Sequence, residues 1–231
     1  MTDRPLALIT GASRGIGKAI ADALGDTHDL LLGGRDEEAL SSQAAELPSA
    51  RPWAVELTDE QALTEATADI DRLDVLVHSA GISRLGPLTA LTAADWRESY
   101  EVNVVAVVEL TRLLLPALRA AAGHVALINS GSGIKANPRW GAYAASKFAL
   151  RAYADVLRGE EEPNGLRVTS IHPGRTATDM QRGVREFEGG TFEPENYMRP
   201  ESVANIVKAA IETPRDAHVH EIVLRQQLKS G

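Results

Sequence analysis

The chain has 231 residues, a length that suits one α/β domain, with no cysteine and a formal net charge of −8. The acidic balance argues against nucleic-acid binding as the main task, since that needs clustered basic charge. With 44% hydrophobic and 24% charged residues, collagen-like and disordered chains are excluded, as are disulfides and thiolate chemistry.

The N-terminus runs at once into Leu6-Ala7-Leu8-Ile9 with no signal-peptide pattern, which together with the missing cysteines points to the cytoplasm. Residues 6–10 are a short β-rich run, followed by a Gly-rich turn and a helix over about 15–24. A second strand is predicted at 30–32, a helix at 37–46, a brief third strand at 53–55 and a helix at about 60–70. Residues 75–77 are a buried strand. A long helix is expected from about 94 to 121, with Pro116 as kink or stop. Its apolar part at 102–108 contains Asn103 and falls short of the ~18 residues of a membrane span. Strands at 124–129 and 167–171 enclose a helix at 143–158; a helix at 201–211 and a strand at 219–224 close the chain. Strands without polar alternation, alternating with helices, are the pattern of a parallel sheet covered on both faces. Residues 175–199 stand out as irregular, with Met180, Phe187, Phe192, Tyr197 and Met198 among charges and glycines, and read as a mobile substrate lid.

The turn after the first strand is Thr10-Gly11-Ala12-Ser13-Arg14-Gly15-Ile16-Gly17. Gly11 permits a sharp turn, Gly15 lets amides approach a pyrophosphate, and Gly17 allows close packing, with the helix N-terminus facing the phosphates. Thr-Gly-x-x-x-Gly-x-Gly resembles the signature of the short-chain dehydrogenases/reductases in their compact single-domain form. The resemblance implies a Rossmann-type doubly wound parallel sheet of about seven strands. It also implies a nicotinamide cofactor. NAD-preferring members carry an acid at the end of the second strand, where this sequence has Gly34 followed by Arg35. Arg35, with Arg14, is then free to meet a 2′-phosphate, which favours NADP(H).

Tyr143-Ala144-Ala145-Ser146-Lys147 puts a phenol and an ammonium on one helix face. A positive charge ~5 Å away at an effective dielectric of ~20 is worth roughly 3 kcal/mol, about two pKa units off a free tyrosine's ~10. Lys147 is thus expected to make Tyr143 a proton-transfer group. Ser130 ends the strand at 124–129, with Ser132 as a rival, and Asn103 sits inside a helix where asparagine is unfavourable. The resemblance makes Asn103, Ser130, Tyr143 and Lys147 a catalytic set, with Lys147 on the ribose and Asn103 holding a relay water. It places Pro173, Gly174, Thr176 and Thr178 at the nicotinamide carboxamide. Ser13, Ile16, Glu56, Leu57, Ala80 and Gly81 are counted with the cofactor positions, Glu56 standing where the family has an adenine-binding Asp. His78 and Ser79 replace the family's two asparagines, and His78 reads as a satisfied buried histidine.

His218-Val219-His220 lacks a clear third ligand, so no metal is expected. The resulting expectation is an NADP(H)-dependent interconversion of a small-molecule carbonyl and alcohol, with a non-catalytic NADP(H)-binding sensor or scaffold as the alternative. Trp140, Ile134 and Leu85 suit an uncharged, partly apolar substrate, while Arg139, Arg175 and Arg182 suit an acid equally well. By resemblance, the helices bearing Asn103 and Tyr143 would pair across a two-fold axis in a homodimer or homotetramer.

Overall fold

Seven parallel strands hydrogen-bond side by side in the order 3-2-1-4-5-6-7. In chain order the elements are β1 (Leu6–Thr10), α1 (Gly15–Leu24), β2 (Asp29–Gly34), α2 (Glu37–Ala45), β3 (Ala50–Ala54), α3 (Glu60–Thr67), β4 (Val75–His78) and α4 (Ala93–Tyr100). They continue with α5 (Ala106–Ala121), β5 (His124–Ile128), α6 (Gly141–Glu161), β6 (Arg167–His172), α7 (Asp179–Phe187), α8 (Pro200–Glu212) and β7 (Glu221–Val223). This computed structural model describes residues 4–227; residues 1–3, part of the N-terminus read for a leader, lie outside them.

Successive strand residues point to opposite faces, so the apolar runs build two cores. Ile9, Leu30 and Leu32 pack with Ile20 and Leu24 of α1 and Val203 and Val207 of α8. Leu8, Leu31 and Leu76 pack on the other face with Leu110 and Leu114 of α5 and Leu150 of α6. The strand order reverses between β1 and β4, which opens a crevice at their carboxyl ends.

Three expectations need correcting. The third strand begins at Ala50, not Trp53, because β3 is an edge strand: Arg51 and Pro52 face solvent, and a proline is tolerated where no further strand follows. Trp53 is the one buried residue of this strand, its Nε1 donating to Ala66 O at 3.1 Å. The long helix is interrupted not at Pro116, which lies inside α5, but by a π-turn at Glu101–Val105 centred on Asn103. Residues 175–199 are less irregular than expected. Thr178 accepts from Gln181 N and starts α7, which buries Gln181 and Val184; Gly189, at φ +74°, follows it. Few aliphatic residues mark that helix in the sequence, and caps rather than periodicity delimit it.

Candidate active site

At the carboxyl end of β1 the chain turns through Gly11, whose φ is +65°, and an added Cβ there would lie 2.8 Å from Ala80 N. A Cβ on Gly17 would overlap the Gly11 carbonyl, so α1 starts hard against the turn. Thr10 ties the two central strands: its Oγ1 accepts from Ser79 N at 3.1 Å and Ala80 N at 3.2 Å. The motif carried Thr10, but its role needs the β1–β4 neighbourhood to be seen. No side chain caps the N-terminus of α1, so its first amides are available to an anion. A cleft runs past them, lined by Gly15, Lys18, Thr178, Arg182 and Phe192. Thr178 packs its methyl on Gly15, and Thr176 is buried with its Oγ1 donating to Gly174 O at 3.2 Å. Ser13 is half-buried in the turn, while Ile16 and Leu57 support the two cores.

Arg14 is exposed beside this turn. Arg35 reaches out from the end of β2 with 76% of its side chain exposed and pairs with Glu56 Oε2 at 3.5 Å. The other Glu56 oxygen accepts from Thr58 N at 3.2 Å and Thr58 Oγ1 at 3.0 Å. Glu56 therefore faces Arg35, the residue expected at the 2′-phosphate, as well as closing its own turn. Such an exposed pair is weak and exchanges readily for a stronger anion.

Beyond β4 the four candidate catalytic residues converge. Asn103 is buried, its Oδ1 accepting from Ile82 N at 2.9 Å and its Nδ2 donating to Ile82 O at 3.0 Å and Ser146 Oγ at 3.0 Å. Ser146 in turn donates to Tyr143 O at 2.8 Å, linking the π-turn to α6. A Cβ on Gly81 would lie 3.1 Å from Asn103 Oδ1 and 3.7 Å from Lys147 Nζ, so Gly81 separates the two. Ser130 lies two residues past the end of β5, and its hydroxyl, not that of Ser132, is the one that acts on the Tyr143 phenol. The Ser132 amide instead donates to Ser130 Oγ at 3.0 Å. Asn129, which the sequence reading passed over, accepts from Ser130 N at 2.9 Å and donates to Lys147 O at 3.2 Å. Its position directly before the serine expected to end the strand was the available signal.

Lys147 Nζ lies 5.9 Å from the centre of the Tyr143 ring and donates to Ile128 O at 3.1 Å. The expected depression of the tyrosine pKa by this lysine is not what the geometry gives. Burial pushes the phenol above its usual range, and the Ser130 hydrogen bond only pulls partway back. Burial also lowers Lys147 to about 8. Removal from water dominates at both groups because both are enclosed. His78 is a buried histidine 2.9 Å from Thr111 Oγ1, with its pKa lowered to about 3 by burial.

Of the expected pocket walls, Leu85 lines a second cleft with Ser83, Leu91, Met180 and Phe187. Trp140 packs against Tyr143 at 5.9 Å between ring centres, and half-buried Ile134 follows the short turn after Ser130. The three arginines are engaged within the protein. Arg175 is held by both oxygens of Glu188, Arg139 lies 4.2 Å over Phe187, and Arg182 lies 4.7 Å over Phe192. Among the described residues no group of three or more histidines or acids is placed to hold a metal. No described helix is long and apolar enough to cross a membrane.

A family model for the short chain dehydrogenases matches residues 5–189. A glycine betaine reductase of Emericella nidulans is 32% identical over 233 residues, covering 95% of this chain but 18% of that much longer protein. An uncharacterized oxidoreductase of Listeria monocytogenes is 30% identical, with the match covering 94% of each chain. Among solved structures, an alcohol dehydrogenase of the archaeon Thermococcus sibiricus complexed with 5-hydroxy-NADP superposes with a TM-score of 0.88. Its identity is 27%, over 99% of this chain and 100% of that one.

Proposed function

The chain belongs to the short-chain dehydrogenase/reductase family of oxidoreductases, and from that premise we propose that it interconverts a carbonyl compound and an alcohol with NADP(H). One observation carries this reading: the Ser130 and Tyr143 hydroxyls meet beside Lys147, at the edge where the strand order reverses. NADP(H) itself supplies or accepts the hydride. Uncapped amides at the start of α1, with Arg14 and Arg35, suit its phosphates. Several solved relatives of this fold were obtained with NADP or NADPH, which agrees with that charge pattern.

In reduction, Tyr143 gives its phenolic proton to the substrate oxygen, and Ser130 donates a hydrogen bond to that same oxygen as charge develops there. Lys147 retains two further N–H donors beside its bond to Ile128 O, which suits ribose hydroxyls. Asn103 fixes the chain at Ile82 and so the floor beneath Lys147. Residues 175–199 act as the substrate lid, since α7 contributes to both clefts and Phe192 stacks on Tyr197 at 5.5 Å. Val105, Phe148 and Val156 point outward from the helical face formed by the π-turn and α6, which suits a homodimer or homotetramer.

The test is a fluorescence titration with NADPH and NADH, followed by a carbonyl panel with the better cofactor. Clearly tighter NADPH binding and turnover of panel members are expected. A preference for NADH would remove the Arg14–Arg35 phosphate site from this reading, and binding of neither cofactor would overturn it.

A further inference from the structure

Behind Ser130, a run of polar side chains crosses from β6 to β7 and returns to the helix that carries Tyr143. His172, the last residue of β6, has no exposed side-chain surface. Its Nδ1 lies 3.1 Å from the main-chain oxygen of Ser130. A carbonyl only accepts, so Nδ1 carries the proton. The other ring nitrogen, Nε2, lies 3.1 Å from Ser170 Oγ and 2.9 Å from Glu221 Oε1. Glu221 is paired with Arg151 at 2.8 Å. Arg151 follows Lys147 by one helical turn and Tyr143 by two, so all three lie along one face of α6. Outside, Arg225 Nη1 donates to the main-chain oxygen of His172 at 3.2 Å, with its guanidinium against Gly131.

We propose that His172 is a positioning residue for the Ser130–Tyr143 pair, and that its link to Glu221 and Arg151 is made when the imidazole is doubly protonated. This rests on the catalytic reading of Ser130 and Tyr143 above. Ser130 is held at its nitrogen by Asn129 and at its oxygen by His172 together with the Gly133 amide, with its hydroxyl toward the phenol. A neutral imidazole accepts from the Ser170 hydroxyl at Nε2; a protonated one donates to Glu221 instead. The bond to Ser130 persists in both states, so acid changes the tie to α6 but not the grip. The groups facing this imidazole are Ser130 from the turn after β5, Ser170 from its own strand, Glu221 from β7 and Arg151 from α6. Burial lowers its pKa below the usual 6.5, while the Ser130 carbonyl and Glu221 raise it and Arg151 lowers it. The exchange of partners therefore falls on the acid side of neutrality.

The experiment measures kcat, KM and their pH profiles for His172→Ala, His172→Asn and Glu221→Gln, with Ser130→Ala and Tyr143→Phe in parallel. His172→Ala is expected to lower kcat on the order of ten- to a hundredfold, the scale of a misplaced reacting group, with NADPH affinity within about twofold. His172→Asn restores an N–H toward Ser130 and recovers much of the lost kcat, but loses the acid-side inflection. Glu221→Gln moves that inflection to lower pH. In the Ser130→Ala background, His172→Ala adds little further loss, because the two act through one group.

Wild-type kcat in His172→Ala, or an asparagine no better than alanine, overturns the positioning role. Should both His172 variants fail to fold, an unaltered kcat and pH profile in Glu221→Gln overturns the protonation-dependent link to α6, and with it the proposal. Full activity in Ser130→Ala or Tyr143→Phe instead removes the catalytic reading beneath it, and the two failures are told apart.

Discussion

The two edges of the sheet bury polar groups to different ends. At the amino edge, His124 starts β5 with Nε2 2.8 Å from Thr169 Oγ1, its ring facing His218 at 6.1 Å. His218 Nε2 accepts from Val168 N at 2.9 Å, and Arg167 donates to the carbonyls of Ile211 and Thr213. Each bond there joins one segment of backbone to the next. At the carboxyl edge, the Tyr143 hydroxyl meets another hydroxyl, and the first amides of α1 have no capping side chain. Both edges pay in desolvation, lowering His124 to about 3 and Lys147 to about 8. Neither burial nor an unpartnered polar atom separates the two edges, since His124 Nδ1 and Arg167 Nε are also buried without a partner; facing hydroxyls beside uncapped helix amides do.

The sharpest way to break this contrast is Tyr143→Phe. Turnover should fall by about three orders of magnitude or more, within the range of a lost acid–base group, while thermal unfolding and NADPH affinity stay close to wild type. Retained activity in a steady-state assay would put the proton transfer elsewhere. Next in size is Arg35→Ala, expected to weaken NADPH about tenfold and leave NADH nearly unchanged, since one charge-assisted contact is lost. Equal weakening of both cofactors, read by titration, would mean that Arg35 does not meet the 2′-phosphate.

A third prediction concerns the pH dependence of stability, which both edges share. His78 and His124 have folded pKa values near 3 against 6.5 unfolded, so the unfolded chain binds protons first as the pH falls. Their stability contribution is fully present above pH 6.5 and is lost progressively down to about 3, at up to about 1.4 kcal/mol per pH unit for each histidine. Urea unfolding of His124→Gln should show a shallower acid slope with kcat at pH 7 unaffected; an unaltered slope would contradict this. The smallest effect belongs to the exposed Glu109–Arg112 pair. Breaking it with Arg112→Ala should move the melting temperature by no more than about 2 °C.

Much of this was legible because the signals are local. The glycine turn, the Tyr143–Lys147 spacing and Ser130 just past the fifth strand follow one another in the chain, and each fits the element beside it. Asn103 was visible as an awkward residue in a helix, but not the π-turn that houses it, which depends on the distant Ile82. The family position of Glu56 was legible, but not its pairing with Arg35, which the neighbouring strand ends bring about. Asn129 was missed because its Lys147 partner lies on a later helix, and His172 because its partners lie beside neighbouring strands; periodicity says nothing about such distant contacts. The pKa balance at Tyr143 escaped for a related reason: spacing reveals the charge beside a group, not how much water both have lost.

The strand order also governs how the chain must assemble. β1 is made first yet lies in the sheet's interior, where Ala7 pairs with Leu30 on one side and with Val75 on the other. A nascent chain that has emerged only as far as α3 can zip β1, β2 and β3 together, but the second edge of β1 remains open until β4 arrives. Until then the apolar faces of Leu8 and Ile9 and an unpaired row of backbone groups are exposed together. Closing that long loop is entropically slow, so the early intermediate is the species most vulnerable to aggregation.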